Sequence, residues 1–282
     1  MARAGAGKPL SGAPDLLSAR PSPPVRRWFA WYAERLLRKS FAALRALPDA
    51  DAALAALGER ARPTLLVTTH SSWWDPIVIA LLWRRYAAGR PLLAPMDRAS
   101  LQRFRFFRRL GVFGIDPDDP RSLEAMATYV VAECAARPDT LVAVTPQGRF
   151  TDPREPIVLR PGAARLAALM HPGCAVAVAI EYAFWTDRKP ELFLGAARIA
   201  RLEAASTASW QRALADGLRT TAARLAEAVR SRDEASFVPL VAGAGRGGSG
   251  NHPIYDLWLR GTGRSTSIEV GHRAGAAEGS TR

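Results

Sequence analysis

His70-Ser71-Ser72-Trp73-Trp74-Asp75 is the segment of this 282-residue chain whose residue types and spacing best suit chemistry. The apolar run at 64–69 reads as a strand that delivers His70 to its carboxyl end, where α/β sheets place their ligands. Pro76 and the apolar residues after it read as the start of a helix. A turn between the two brings the Asp75 carboxylate back to the imidazole and fixes the tautomer and orientation of a general base. Asp before Pro is also a helix start in its own right, and one carboxylate has oxygens for both roles. For His70 the alternative is a buried histidine satisfied by a backbone group.

His-Ser-Ser-Trp-Trp-Asp resembles the His-x4-Asp box of the glycerophospholipid acyltransferase family, the lysophosphatidic acid acyltransferase-like enzymes, and further boxes follow in that family's order. Gly111-Val112-Phe113-Gly114-Ile115-Asp116 is similar to the second box up to Pro117, where the family carries arginine. Thr145-Pro146-Gln147-Gly148-Arg149-Phe150-Thr151 is similar to the third, with an amide at Gln147 in place of a carboxylate and the arginine displaced by one residue, to Arg149. Val176-Ala177-Val178 is similar to the fourth without its proline. The resemblance covers about residues 26–231.

It implies direct transfer of a fatty acyl group from acyl-CoA or acyl carrier protein, as cosubstrate, to a hydroxyl of a lysophospholipid or glycolipid-like acceptor, with no other cofactor and no metal. It further implies that His70 removes the hydroxyl proton while Asp75 orients and stabilises the imidazolium. Gln147, Gly148, Arg149, Phe113 and Arg98 are the expected substrate-binding residues. Backbone N–H groups around Gly148, or in the turn from Ser71 to Asp75, are the expected oxyanion donors. An amide at 147 and proline at 117 favour an acceptor hydroxyl on a sugar or other polyol, held by Gln147, with Arg149 and Arg154 near enough to meet a phosphate.

The elements that must position these groups follow from the hydrophobic pattern. Short apolar runs at 64–69, 91–95, 112–115, 140–145, 175–182 and 191–199 alternate with helical patterns at 76–88, 100–110, 120–136, 161–170 and 207–231. That predicts an α/β fold, a mostly parallel mixed sheet flanked by helices, with an N-terminal amphipathic helical segment. The helix is expected over 25–47, with Phe29, Tyr32, Leu36, Leu37, Leu44 and Leu47 on one face and Arg27, Glu34, Arg38 and Arg45 on the other. Packing on the core and contact with a membrane surface both fit that face, and they coexist if Trp28 and Trp31 lie at its edge. Residues 1–24 read as a disordered leader, 25–240 as the acyltransferase domain and 241–282 as a flexible Gly-rich tail in which Ile254, Tyr255, Leu257 and Trp258 could dock back.

Lys and Arg number 39 against 26 Asp and Glu, a net charge of +13, which asks for an anionic partner. Arg98, Arg103, Arg105, Arg108 and Arg109 interleave with Phe104, Phe106 and Phe107, a pattern suited to a lipid headgroup or CoA phosphate. A solvated basic helix with core phenylalanines is the plainer reading of the same segment. The expected partners are the lipid acceptor, the acyl donor, an anionic membrane surface and an acyl carrier protein, with no nucleic acid. A noncatalytic basic protein binding anionic membrane or RNA is the alternative.

No apolar run reaches the ~18 to 20 residues of a membrane span, and the first 24 residues lack the apolar stretch of a secretory signal. The expected location is therefore cytoplasmic, peripheral on the inner face of the membrane. Cys134 and Cys174 fit neither a disulfide framework nor zinc spacing, and His171, His252 and His272 are scattered. The chain carries no G-x-S-x-G elbow and no G-x-x-x-x-G-K-[ST] loop.

Overall fold

The computed structural model describes residues 16–202 and 206–241. The first 15 residues, the apolar cluster at 254–258, His252 and His272 lie outside the described residues. In chain order the elements are α1 (Pro23–Ser40), β1 (Leu44–Ala46), α2 (Ala50–Ala55), β2 (Thr64–Thr68), α3 (Asp75–Tyr86), β3 (Leu92–Asp97), α4 (Arg98–Arg103), a 3-10 helix (Arg105–Leu110) and β4 (Val112–Ile115). There follow α5 (Pro120–Ala136), β5 (Leu141–Val144), α6 (Gly162–Met170), β6 (Cys174–Ala183), β7 (Glu191–Ala200), α7 (Thr207–Ser231) and β8 (Val238–Pro239).

The strands form one sheet in the order β4-β3-β5-β2-β6-β7-β1-β8. β4, β3, β5, β2 and β6 run parallel, β7 is antiparallel to β6, and β1 returns parallel to β7. The predicted α/β class, with a mostly parallel mixed sheet, is the one observed. Both faces are covered, as the continuous apolar runs of parallel strands require. Leu66, Ala143, Val176 and Val178 face α1 and α3, while Leu65, Val67, Val142, Val144, Ala175 and Ala177 face α5, α6 and the first half of α7.

The connection after β2 runs through α3 toward β3, and the connection after β5 runs through α6 the other way, toward β6. Since β2 and β5 are neighbours, their loops diverge and leave a crevice at the carboxyl ends, the switch point at which such sheets bind ligands.

The N-terminal helix is shorter than its hydrophobic pattern predicts and buries a different face. It ends at Ser40, and Leu44–Ala46 is drawn into the sheet, in register with Leu192, Phe193 and Leu194 of β7. A ladder of main-chain bonds outweighs helical periodicity there. The side facing α3 is Arg26, Ala30, Ala33 and Leu37, two of them small enough for close approach, and the Arg26 guanidinium lies 5.0 Å over the Trp83 ring. Phe29 and Leu36 are only half-buried, and Trp28, Trp31 and Tyr32 are exposed. Leader residues 17–22 follow the β4 edge, through a Leu17–Gly114 bridge and bonds from Arg20 and Ser22 N–H to Arg108 and Arg109 carbonyls. The helix expected over 100–110 divides at Phe104 into α4 and the 3-10 turn. Gly111 closes that turn at φ 106, where a Cβ would lie 1.9 Å from the Leu92 carbonyl oxygen, so only glycine fits.

At the opposite end of the sheet from the crevice, fully buried Arg90 ties the strand starts together. It donates to the carbonyls of Asp139 at 2.7 Å, Thr140 at 3.3 Å and Leu57, and to Thr64 Oγ1 at 3.1 Å. Thr64 and Thr140 begin or immediately precede β2 and β5, the two strands that border the crevice. Arg90→Met should strand these acceptors and lower the unfolding free energy by about 3 kcal/mol, read from the urea midpoint at unchanged slope.

Candidate active site

Beyond Thr68 the chain leaves the β2 ladder, and a side chain replaces the missing main-chain group. Thr69 Oγ1 accepts from Ile180 N–H at 2.9 Å while Thr69 N–H still donates to the Val178 carbonyl at 3.0 Å. His70 is therefore presented at the strand end with its backbone fixed. Its N–H donates to Gln147 Oε1 at 2.8 Å, and its carbonyl accepts from Thr151 N–H at 2.8 Å. The turn after β5 thus grips both polar groups of the His70 main chain.

The His70 ring meets Asp75 as the spacing predicts, Nδ1 to Oδ2 at 2.8 Å. The same Oδ2 accepts from Ser71 N–H at 2.9 Å and Ser72 N–H at 3.0 Å, and Oδ1 accepts from the Tyr182 hydroxyl at 2.7 Å. Asp75 is the first residue of α3, yet its carboxylate turns back to the preceding loop instead of capping the helix. The Asp75 side chain is 0% exposed and that of His70 17%, so a fixed, dry carboxylate holds one ring nitrogen and leaves the other toward the opening. Burial, and then the neighbouring Asp75 charge, push the Tyr182 phenol far above its ordinary pKa.

Phe150 lies with its ring 4.3 Å from the His70 ring and is 60% exposed. Trp73, also exposed, stacks on Trp74 at 4.2 Å, and Trp74 and Tyr182 both pack on Phe41. Beside His70 a cavity of about 30 Å³, room for one water, is lined by Ser71, Gln147, Thr151, Asp152, Glu155 and Glu181. The Ser71 hydroxyl is buried there without a partner among the described residues. Burial raises the pKa of the Glu181 carboxyl, against the pull of Arg230.

The other expected binding residues scatter. Gln147 is buried and already engaged, its amide nitrogen donating to Thr151 Oγ1, so it clamps the loop and does not reach into the opening. Gly148 adopts φ 70 against the Arg160 side chain. Arg149 is exposed and Arg98 half-buried, neither in an ion pair among the described residues. Arg154 is held by Asp152 in its own turn, a pairing that keeps the Asp152 carboxyl well below the usual range. Phe113 corrects the sequence reading. Its side chain is fully buried in the core against Tyr129, because the inward-facing side of β4 supports α5.

Sequence reasoning missed Arg160, whose Nη1 donates to the Pro117 carbonyl at 3.1 Å and to Asp118 at 3.0 Å and so joins the second and third boxes. It also missed Tyr182. The signal for Tyr182 was strand parity, which sets it on the same face as Val176, Val178 and Ile180, toward α3.

A family model described as Acyltransferase matches residues 52–210, more than half of the chain. The crystal structure of the 1-acyl-sn-glycerophosphate (LPA) acyltransferase, PlsC, from Thermotoga maritima is similar in fold, with a TM-score of 0.51. That likeness covers 74% of this chain and 80% of the other at 13% sequence identity. Among curated proteins, none matches the chain.

The Gln147 clamp has a direct readout. Gln147→Leu should release the His70 amide to fast hydrogen exchange and lower stability by about 1–3 kcal/mol, because it leaves the His70 N–H donor and the Thr151 hydroxyl acceptor unpaired. Gln147→Glu should change both far less, since Thr151 can turn its hydroxyl to donate. Equal protection of the His70 amide in all three proteins would disprove the clamp.

Proposed function

The chain belongs to the acyltransferase family and is an enzyme of acyl transfer; we propose that it moves a fatty acyl group from acyl-CoA or acyl carrier protein to a hydroxyl of a lysophospholipid or glycolipid-like acceptor, with His70 as general base. The observation that carries this reading is the 2.8 Å contact between His70 and a buried, multiply hydrogen-bonded Asp75 at the open end of a parallel sheet. With Nδ1 held by Asp75, Nε2 accepts the hydroxyl proton as the oxygen attacks the thioester carbonyl. The tetrahedral intermediate then expels the thiolate, which regains the proton from His70. No covalent enzyme intermediate is needed.

The oxyanion needs N–H donors without other duties. Those of Ser71 and Ser72 serve Asp75, and that of Gly148 serves the Thr145 carbonyl. The N–H groups of Trp73, Arg149 and Phe150 carry no hydrogen bond among the described residues and are the better candidates in the same two turns. Gln147 is committed to His70 and Thr151, which weakens the case that it selects a polyol acceptor. Phe150 instead offers the acceptor an open ring face beside the base, and Arg149 an unpaired cation for a phosphate.

The enzyme works, in this reading, from the inner face of an anionic membrane. Trp28, Tyr32, Phe29 and Phe106 form a chain of ring contacts from α1 to the 3-10 helix, with centroids 5.8–6.3 Å apart. Trp28, Tyr32, Phe104 and Phe106 are exposed, against the reading in which the phenylalanines are core, and Arg27, Arg35, Arg103 and Arg105 are exposed on the same elements. Exposed rings with arginines suit a headgroup region. Among the described residues no helix is long and apolar enough to cross a membrane. A buried carboxylate with both oxygens hydrogen-bonded, one of them to the His70 ring, speaks against the noncatalytic alternative.

Two measurements test the proposal. With labelled acyl-CoA and a panel of lysophosphatidate and glycolipid acceptors, folded His70→Ala should lose roughly 10²- to 10⁴-fold in turnover, and Asp75→Asn should lose activity with it. Normal turnover in His70→Ala would rule out the mechanism. Co-sedimentation with anionic vesicles should fall as salt rises and in Trp28→Ala, Phe106→Ala and Arg105→Glu proteins. Equal, salt-indifferent binding to neutral vesicles would contradict the surface assignment.

A further inference from the structure

Three features of the molecule lie outside this mechanism: the partnerless guanidinium atoms of Arg26, the small cavity beside Ser71, and the hydroxyl of Tyr182. Arg26 and the cavity carry no second observation that points to a ligand. Tyr182 touches the dyad directly. We propose that Tyr182 is a positioning residue, whose hydroxyl fixes the Asp75 carboxylate from the side opposite His70 and thereby sets the basicity of the His70 imidazole. The proposal rests on the general-base reading of His70.

The geometry divides the carboxylate into two halves. Oδ2 carries three bonds, from His70 Nδ1, Ser71 N–H and Ser72 N–H, and Oδ1 carries the one from Tyr182. Were the plane of the carboxylate free to turn about χ2, Oδ2 would leave its three partners together. The phenol blocks that rotation. Tyr182 is itself held, its ring 5.6 Å from Phe41 and its main chain in register with Leu192 of β7. Because burial keeps the phenol protonated, it donates at every working pH.

A donor on Oδ1 also draws negative charge away from Oδ2. Tyr182→Phe removes that donor and leaves the ring packing in place. Three donors and the N-terminus of α3 remain around the carboxylate. More charge then faces Nδ1, the imidazolium is favoured, and the His70 pKa rises. The other titratable groups that line the cavity with His70 are unchanged by the substitution: Glu181 on β6, and Asp152 (paired with Arg154) and Glu155 on the turn after β5.

The test follows the His70 Cε1–H resonance against pH in the full chain, together with the pH dependence of kcat/KM. In Tyr182→Phe the imidazole pKa and the acidic limb of kcat/KM should move up together, by roughly half to one pH unit. Turnover above the limb should fall about tenfold at unchanged KM, as expected of a group that acts in the transition state. Phe41→Leu loosens the packing on Tyr182 but keeps its hydroxyl, so it should move the imidazole pKa far less than Tyr182→Phe does. An unshifted pKa in Tyr182→Phe, or an equal shift in Phe41→Leu, would overturn the proposal. Failure of the general-base reading shows separately, as turnover in folded His70→Ala, while the imidazole pKa still reports the coupling to Tyr182.

Discussion

A carboxylate with no exposed surface governs the arrangement of this site. Removing an ionised Asp75 from water is unfavourable by several kcal/mol unless its lone pairs are filled. No lysine or arginine among the described residues pairs with it. The charge is instead balanced by two amides of its own loop, a ring nitrogen, a phenol and the positive end of α3. Each donor comes from a segment that then has little freedom to move. The loop after β2 must curl so that Ser71 and Ser72 face inward, the imidazole must lie in one orientation, and β6 must extend as far as Tyr182.

The same demand explains why so many bonds around His70 run between side chains and main chain. At a topological switch point two neighbouring strands send their loops in opposite directions, and main-chain pairing ends where the chemistry begins. Thr69, Gln147 and Thr151 continue it with their side chains. The amide at position 147 suffices for this anchoring contact, since acceptance from the His70 N–H needs an oxygen and no charge. The replacement is compatible with an intact dyad, and charge at that position is a poor guide to the acceptor.

The sequence made the local part of this legible. A strand of 64–69, a polar turn and a proline-started helix leave few ways for His70 and Asp75 to avoid each other, and the alternation of strands and helices gave the sheet. The remainder depends on partners far along the chain. Tyr182 lies 107 residues from the carboxylate it serves, and only strand parity hinted at its side. Gln147 was expected at the acceptor from its place in the third box, and a box does not tell a side chain aimed at solvent from one bonded to a neighbouring loop. Helical periodicity through Leu44 and Leu47 was real, but those leucines are buried by a sheet edge that the pattern does not encode. Phe113 shares its box with exposed Asp116 yet is buried in the core.

The N-terminal segment lies across the whole sheet. Leu17 pairs with β4 at one edge, while Leu44–Ala46 fills a place between β7 and β8 at the other, and Arg45 is bonded to Glu191, 146 positions later. During synthesis this stretch is made before the strands it pairs with: Leu17 has no berth until β4 follows, and Leu44–Ala46 none until β7 and β8 do. Contacts of such long sequence separation form slowly, and until then Leu44, Ala46 and Leu47 lack the neighbours that bury them. Closure of this edge is therefore a late event in maturation: β1 waits for β7 and β8, while α1 already has α3 to pack against.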